Sequence, residues 1–177
     1  DMTFLKNPPL CSILRSKICP SKGGDTMWSS MTAAYESLSE SMKNFLKNLT
    51  AEHDFCHGFK ESIAEPGGRE RLKDAIKNNP PVVHPVIRTH PITKRKAIFV
   101  NPLFTTKINE LSKSESDALL EFLYSYSITP EFTCRFSWTP NSIAIWDNRC
   151  TLHKPINDYF PEHRLLERIT VDGDEPF

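Results

Sequence analysis

Proline is the residue that most constrains how this chain can fold. It accounts for 14 of the 177 residues, above the usual ~5%, and many of the prolines separate apolar runs. Examples are Asn7-Pro8-Pro9, Asn79-Pro80-Pro81, His84-Pro85, His90-Pro91 and Thr139-Pro140. Proline fixes φ and has no amide proton, so it interrupts helices and central strands. We therefore expect short strands and loops, without long uninterrupted helices.

Several of the segments between the prolines have the apolar pattern of strands. Residues 132–138 alternate apolar and polar side chains, which predicts a half-buried antiparallel strand. Residues 142–146 follow after the turn at 139–141, and we predict that the two strands form a hairpin. Residues 96–100 and 165–171 are further predicted strands. Short strands with a few helical insertions favour an all-β sandwich or barrel.

Two segments repeat their apolar residues at helical spacing. In the first segment the repeat is formed by Leu38, Met42, Phe45, Leu46 and Leu49. In the second, a capping-box pattern at residues 112–115 precedes a stripe formed by Leu119, Leu120, Leu123 and Tyr126. We predict two helices whose stripes belong to the core, and a charged surface helix or lid at residues 69–77. The fold class predicted from these patterns is mainly β with helical insertions, in a single domain over residues 1–177.

Charge and cysteine content exclude several classes of protein. Twenty-two basic and 22 acidic residues balance, whereas a nucleic-acid partner requires a basic excess. No apolar run approaches the ~18 residues of a membrane span, and no signal-peptide pattern is found. The five cysteines are odd in number and form no Cys-x-x-Cys pair. We therefore expect reduced thiols in a cytoplasmic protein, with Cys134 and Cys150 buried in strands.

A histidine and two arginines near the end of the chain are candidates for chemistry. His153 follows a strand and a polar turn, although a lone histidine is more often solvated than functional. Arg164 and Arg168 are four residues apart, which on a strand places both side chains on one face. If that face points inward, the guanidinium groups need anionic partners. On an edge strand both would instead be exposed to solvent.

A glycine turn at residues 23–26 leads into the next apolar segment. It lacks the lysine and the spacing of a phosphate-binding loop, so nucleotide binding is rejected. Thr26 still offers a hydroxyl group to an anion. His53 and His57 are four residues apart, the spacing of two zinc ligands on one helix, and we interpret them as structural, as we do His84 and His90.

Six runs of the sequence, taken in order, resemble the taurine dioxygenase family of Fe(II)- and 2-oxoglutarate-dependent oxygenases. They are residues 1–4, 23–28, 51–55, 83–91, 104–106 and 145–149, the last followed by Thr151 and His153. The resemblance extends over the whole chain, and it implies a double-stranded β-helix, or jelly-roll, core. It also implies that Fe(II) is the cofactor and that 2-oxoglutarate and O2 are cosubstrates.

The resemblance implies a role for each matching residue. The family binds iron through a His-x-Asp motif and a distal histidine, and Asp1 and His153 match the aspartate and the distal histidine. Because the first histidine would precede Asp1 by two residues, we expect an N-terminally truncated chain with weakened or absent iron binding.

The remaining matches concern the two organic ligands. Thr26 and Arg164 match the pair that holds the far carboxylate of 2-oxoglutarate. Arg168 matches the arginine that faces the substrate sulfonate, and Phe59 and Phe104 match the aromatic walls around a short carbon chain.

The resemblance implies hydroxylation of taurine or a similar small sulfonate at the carbon bearing sulfur, with release of sulfite. Two alternatives remain open. One is a related oxygenase that acts on alkyl sulfates or aryloxy acids. The other is a non-catalytic jelly-roll binding module without a complete iron site. The expected partner is a small-molecule sulfonate, with no nucleic acid and no membrane, and homo-oligomer formation is left open.

Overall fold

The computed structural model describes residues 1–177, and its strands are short, as the prolines predict. The strands are β1 Cys11–Ile18, β2 Thr26–Ser30, β3 Thr50–His53, β4 Val82–Pro85, β5 Ile87–Thr89, β6 Lys96–Ile98, β7 Thr105–Ile108, β8 Thr133–Phe136, β9 Ile143–Asp147, β10 Thr151–Pro155 and β11 Leu165–Val171. The helices are α1 Met31–Ser37, α2 Glu40–Leu46, α3 Phe55–Gly58, α4 Lys60–Ala64, α5 Gly68–Arg71, α6 Lys73–Asn78 and α7 Lys113–Ser127. None of the helices is both long and apolar enough to cross a membrane.

Two antiparallel sheets of three strands face each other. The first sheet has the strand order β11-β1-β9, and the second has the order β10-β2-β8. The indole rings of Trp28 in β2 and Trp146 in β9 lie 5.4 Å apart between the sheets. The contact shows that Trp28 and Trp146 point into the space between the sheets. Because side chains alternate along a strand and directly paired residues point to the same face, the inward residues of the other strands follow from the pairing. We call the space between the two sheets the barrel interior.

The largest hydrophobic core lies outside the barrel interior. Residues 31–127, between β2 and β8, form helices and two small sheets, β4-β3-β7 and β5-β6, that pack against the outward side of the second sheet. Leu152, which points outward from β10, contacts this core. The most buried core side chains include Ala34, Leu46, Ala51, Val86, Ile98, Ile108 and Leu123. The helical insertion therefore supplies the apolar burial that stabilises the fold.

The second predicted helix is confirmed. Helix α7 begins after Ser112, whose amide and hydroxyl donate to Glu115 Oε2 at 2.9 and 2.6 Å. Leu120 and Leu123 of the predicted stripe are buried. The predicted surface helix at 69–77 is divided into α5 and α6, and both are largely exposed.

The helix predicted from the apolar repeat at Leu38 to Leu49 is observed, but it is shorter than that repeat. Leu38 is extended and ends α1, and the Ser39 hydroxyl then accepts a hydrogen bond from Met42 N to begin α2. Leu38, Leu46 and Leu49 are nevertheless buried, while Phe45 is 51% exposed. The apolar spacing identified three core residues correctly, but α2 covers only Glu40–Leu46, because the Ser39 cap begins the helix after Leu38 and the helix ends before Leu49.

The predicted hairpin between β8 and β9 is wrong. Strand β8 pairs with β2, and β9 pairs with β1, so the turn at 139–142 crosses from one sheet to the other. An alternating pattern predicts which face of a strand is buried and contains no information about its partner.

The expected burial of two cysteines is not found. Cys134 is exposed on β8, and Cys150 is half-buried in the turn before β10. Strand β8 is an outer strand of its sheet, so one of its edges has no neighbour that covers it. The strand predicted at residues 96–100 is observed as β6, and the strand predicted at residues 165–171 is observed as β11.

Replacing Leu123 with alanine tests the role of the helical insertion. Leu123 is fully buried, so Leu123→Ala should lower the free energy of unfolding by about 3 kcal/mol through lost transfer energy and a cavity. The measurement is chemical denaturation followed by circular dichroism. The control is Ile128→Ala at the end of the same helix, where the side chain is 61% exposed and the effect should stay below about 0.5 kcal/mol. Equal effects at the two positions would contradict the proposed core.

Candidate functional site

The barrel interior carries charged and aromatic side chains where a sandwich ordinarily has aliphatic ones. In the first sheet, Ser12 pairs with Trp146, and Leu14 pairs with Arg168. In the second sheet, Trp28 pairs with His153. The register therefore directs Arg168 and His153 inward from opposite sheets. Polar groups on an inward face need partners or a ligand, so the interior is the candidate functional site.

The structure brings Asp1 and Arg168 into direct contact. Arg168 Nη1 donates to Asp1 Oδ2 at 2.7 Å, and Ser12 Oγ lies 3.4 Å from the same oxygen. The Asp1 side chain is only 11% exposed, while that of Arg168 is 44% exposed. Asp1 Oδ1 makes no hydrogen bond. The carboxylate thus has a cation beside one oxygen and keeps the other oxygen free for a ligand.

His153 lies within the same barrel interior, in the middle of β10. Its ring is 4.9 Å from the ring of Trp146, and neither of its nitrogens takes part in a hydrogen bond. Burial, assisted by the positive charge of Arg168, lowers the pKa of His153 to about 4. The imidazole is therefore neutral at physiological pH, which is the state in which histidine coordinates a metal.

Thr26 and Arg164 also meet. Arg164 Nε donates to the carbonyl oxygen of Gly24 at 2.7 Å, and its Nη2 lies 3.4 Å from Thr26 Oγ1. Thr26 is buried, and Trp138 Nε1 donates to its hydroxyl at 3.0 Å. The Nη1 group of Arg164 has no hydrogen-bond partner. A guanidinium beside a hydroxyl is a suitable site for one carboxylate.

Gly24 makes this approach of Arg164 possible. Its φ is +70°, a conformation that L side chains rarely adopt. A Cβ atom at this position would lie 2.9 Å from Pro20 Cγ and 3.0 Å from Arg164 Cδ. The glycine turn, which the sequence analysis excluded as a phosphate loop, thus creates the space through which Arg164 reaches Thr26.

Phe59 and Phe104 lie in one aromatic cluster, together with Phe4 and Phe55. The ring of Phe4 is 4.9 Å from that of Phe104 and 6.3 Å from that of Phe59, and Phe55 stacks on Phe59 at 4.4 Å. Phe104 is buried and Phe59 is 37% exposed. Phe4 is three residues from Asp1, so the cluster adjoins the segment that carries the carboxylate.

Sequence reasoning missed a buried polar network beneath residues 1–5. Thr3, His53, His84 and Asn101 are all buried and bonded to one another or to this segment. His53 is on β3 and His57 is on α3, so the two do not share a helix as a zinc pair would. The available signal was the alternation in Thr50-Ala51-Glu52-His53, which places His53 on the same face of β3 as Ala51.

A second cluster of possible metal ligands is fully committed to protein contacts. Atoms of His90, Asp147 and Cys150 lie within 4.8 Å of one another. However, His90 Nε2 is 3.0 Å from Asp147 Oδ2, and its Nδ1 accepts from two backbone amides. Arg149 donates to both oxygens of Asp147, at 2.9 and 2.7 Å. This arrangement is an ion-pair network around the turn between β9 and β10.

A cavity of about 610 Å³ opens at the edge of the barrel interior, between the outer strands β8 and β9. It is lined by the side chains of Trp28, Phe136 and Trp146, among others. None of the seven site residues predicted from the sequence lines it. The polar part of the barrel interior, which contains Asp1 and Arg168, therefore remains the candidate site.

Two facing antiparallel sheets with an inward carboxylate and a neutral imidazole are typical of jelly-roll Fe(II)- and 2-oxoglutarate-dependent oxygenases. The chain belongs to the "Taurine catabolism dioxygenase TauD, TfdA family", whose model matches residues 1–170. Members of this class use Fe(II), 2-oxoglutarate and O2.

Named relatives extend over nearly all of the chain. A "Putative alpha-ketoglutarate-dependent sulfonate dioxygenase" of Schizosaccharomyces pombe is 37% identical over 100% of this chain and 44% of its own length. An "Alkylsulfatase" of Acinetobacter baylyi is 37% identical over 98% of this chain and 56% of its own. The chain thus spans about half the length of the curated relatives it matches.

Solved structures confirm the jelly-roll fold. A taurine dioxygenase from Burkholderia xenovorans superposes with a TM-score of 0.84 at 37% identity, covering 99% of this chain and 56% of that one. AAD-2, solved in complex with Mn(II) and N-oxalylglycine, has a TM-score of 0.85 at 28% identity, covering 99% and 68%.

The ion-pair network at the β9–β10 turn should determine part of the acid stability. Burial raises the pKa of Asp147, but hydrogen bonds from Arg149 and His90 outweigh it and lower the pKa to about 2. A depressed carboxyl pKa contributes stability above the unfolded value of about 4, and that contribution is lost as pH falls towards 2. Asp147→Asn should cost about 2 kcal/mol at pH 7.

Denaturation at pH 7, 4 and 2.5 is the measurement. The difference in stability between wild type and Asp147→Asn should shrink as the pH falls through this range. Glu131→Gln, on an exposed residue outside the network, is the control. A difference that is the same at every pH would contradict the assignment.

Proposed function

We propose that the protein containing this chain is an Fe(II)- and 2-oxoglutarate-dependent dioxygenase that hydroxylates a small sulfonate, with taurine as the first candidate. Hydroxylation at the carbon bearing sulfur gives an unstable product that releases sulfite and leaves an aldehyde. One oxygen atom of O2 enters the substrate and the other enters succinate, as 2-oxoglutarate loses CO2. The observation that carries this proposal is the presence of two arginines in one barrel interior, each beside a different predicted ligand site.

The donor set suits iron. Asp1 retains a free carboxylate oxygen and His153 is a neutral imidazole without hydrogen bonds, which are hard and borderline donors of the kind that Fe(II) accepts. In this proposal Asp1 and His153 hold the metal, and the metal supplies the activation of dioxygen. Arg168 and Ser12 orient the carboxylate of Asp1 before the metal binds.

The other site residues position the organic ligands. Arg164 uses Nε to bind Gly24, so its terminal nitrogens and the hydroxyl of Thr26 remain for the far carboxylate of 2-oxoglutarate. Arg168 provides a cation for the substrate sulfonate. Phe59 and Phe104 form an apolar wall that fits a short carbon chain and excludes water. These residues bind and orient the ligands, while the oxidation itself belongs to the metal.

Relatives support the sulfonate class and keep two neighbouring substrate classes open. Named relatives include a sulfonate dioxygenase from Saccharomyces cerevisiae, a sulfate ester dioxygenase from Pseudomonas putida and a 2,4-dichlorophenoxyacetate dioxygenase from Burkholderia, each 33% identical. An alkyl sulfate oxygenase is the second candidate, because the alkylsulfatase is 37% identical over 98% of the chain.

Turnover of a substrate panel separates these candidates. The panel contains taurine, pentanesulfonate, hexyl sulfate and phenoxyacetate, each assayed with Fe(II), 2-oxoglutarate and O2 in the intact protein. Release of sulfite from the sulfonates supports the proposal, whereas release of sulfate from hexyl sulfate supports the second candidate. Failure to bind Fe(II) with 2-oxoglutarate under anaerobic conditions would instead favour a non-catalytic binding module.

Two arginine variants test the assignment of the ligands. Arg164→Ala should weaken 2-oxoglutarate binding by about 10- to 100-fold, because a charge-assisted contact to a carboxylate is lost. Arg168→Ala should instead raise the KM for the sulfonate or lower kcat. Visible absorbance of the anaerobic Fe(II) and 2-oxoglutarate complex measures the first effect, and sulfite release measures the second.

A third arginine provides the matched control. Arg15→Ala removes a guanidinium from the outward face of β1, where it contacts only Asn141, and should change neither quantity. If Arg168→Ala weakened 2-oxoglutarate binding while Arg164→Ala affected the sulfonate, the two roles would have to be exchanged.

A further inference from the structure

The segment that carries Asp1 is a strained turn. Met2 has a φ of +50°, which is unusual for a residue with a side chain, and Leu5 N donates to Met2 O at 3.0 Å. A non-glycine residue keeps this conformation only where surrounding contacts enforce it. The orientation of the Asp1 carboxylate therefore depends on whatever holds residues 2–5 in place.

The buried side chains of His53, His84 and Asn101 contact this turn. His84 Nε2 lies 2.9 Å from the carbonyl oxygen of Thr3 and 3.0 Å from that of Leu5. His53 Nδ1 and Asn101 Nδ2 each lie 2.9 Å from Thr3 Oγ1. Three of these four contacts converge on Thr3, two residues from Asp1, and the fourth holds Leu5.

Asn101 binds a second segment at the same time. Its Nδ2 donates to Thr3 Oγ1, while its Oδ1 accepts from the amides of Leu103 and Phe104 at 3.1 and 2.9 Å. One buried amide group thus connects the turn of Asp1 with the turn of Phe104. The Phe104 ring completes the connection by contacting Phe4, at 4.9 Å between centroids.

We propose that Thr3 and Asn101 are positioning residues that fix the carboxylate of Asp1 relative to the aromatic wall at Phe104. The inference rests on the proposed function, because it takes Asp1 as a metal ligand and Phe104 as a substrate contact. Neither Thr3 nor Asn101 touches the ligands. They act through the backbone of the two turns, and in this way they keep the distance and orientation between the metal site and the substrate site constant.

Thr3→Val is the decisive variant. Valine has nearly the same shape, but it leaves Asn101 and His53 without the hydroxyl that they contact. We expect Mn(II) affinity, measured by electron paramagnetic resonance of free Mn(II) in the intact protein, to fall about tenfold. Thr3→Ser keeps the hydroxyl and should restore the affinity to within about twofold of wild type.

Asn101→Ala removes the hydrogen bonds to Thr3 and to the amides of Leu103 and Phe104. It should therefore weaken Mn(II) binding and also raise the KM for the sulfonate. Thr3→Val should change the KM little, because Asn101 still holds Phe104. In the double variant the two losses of Mn(II) affinity should be less than additive, since both changes break the Thr3–Asn101 contact. Thr106→Val is the matched control, because its hydroxyl contacts only Glu52.

The outcomes separate this inference from the proposed function. Asp1→Ala should abolish Mn(II) binding, and if it does not, both the proposed function and the positioning inference fail. If Asp1→Ala abolishes binding but Thr3→Val lowers only the melting temperature, the positioning inference alone is overturned. Reduced affinity in Thr3→Val with recovery in Thr3→Ser supports it, even if Asn101→Ala does not fold.

Discussion

The ion pair between Arg168 and Asp1 connects the last strand with the first residue inside the barrel. An arginine and an aspartate on the inward faces of a sandwich would each lose hydration at considerable cost, and their contact at 2.7 Å offsets part of that cost. Because Arg168 lies opposite Leu14 in the register, β11 must keep its alignment with β1 for the pair to form. A shift by one residue would direct Glu167 inward beside Asp1, placing two negative charges together.

A polar interior of this kind cannot also be the main source of stability. The large hydrophobic core instead lies between the helices of the insertion and the outward side of the second sheet. Leu152 and His153 illustrate this division, because neighbouring residues on β10 face the core and the barrel interior respectively. The barrel interior can therefore hold ionisable groups such as Asp1, Arg168 and His153 while the insertion maintains the fold.

Several features could be derived from the sequence because they depend on local physics. The capping box fixed the start of α7, and the prolines limited the strand lengths. The resemblance to a family then selected which of the possible polar residues to examine. The structure brings Asp1 to Arg168 and Thr26 to Arg164, and it joins Phe59 and Phe104 in one cluster.

The sequence by itself determined which residues are apolar, where chain direction changes and which side chains share a face, since these follow from periodicity and from the chemistry of single residues. Only the tertiary structure decided that β8 and β9 belong to different sheets and that Thr3 meets residues 53, 84 and 101. The physical reason is that strand pairing and buried polar contacts join residues far apart in the chain, such as Cys11 and Val171 in the β1–β11 pair, or Thr3 and Asn101, which are 98 positions apart. Such contacts depend on how the whole fold packs, and the residues of one short segment contain no information about that packing.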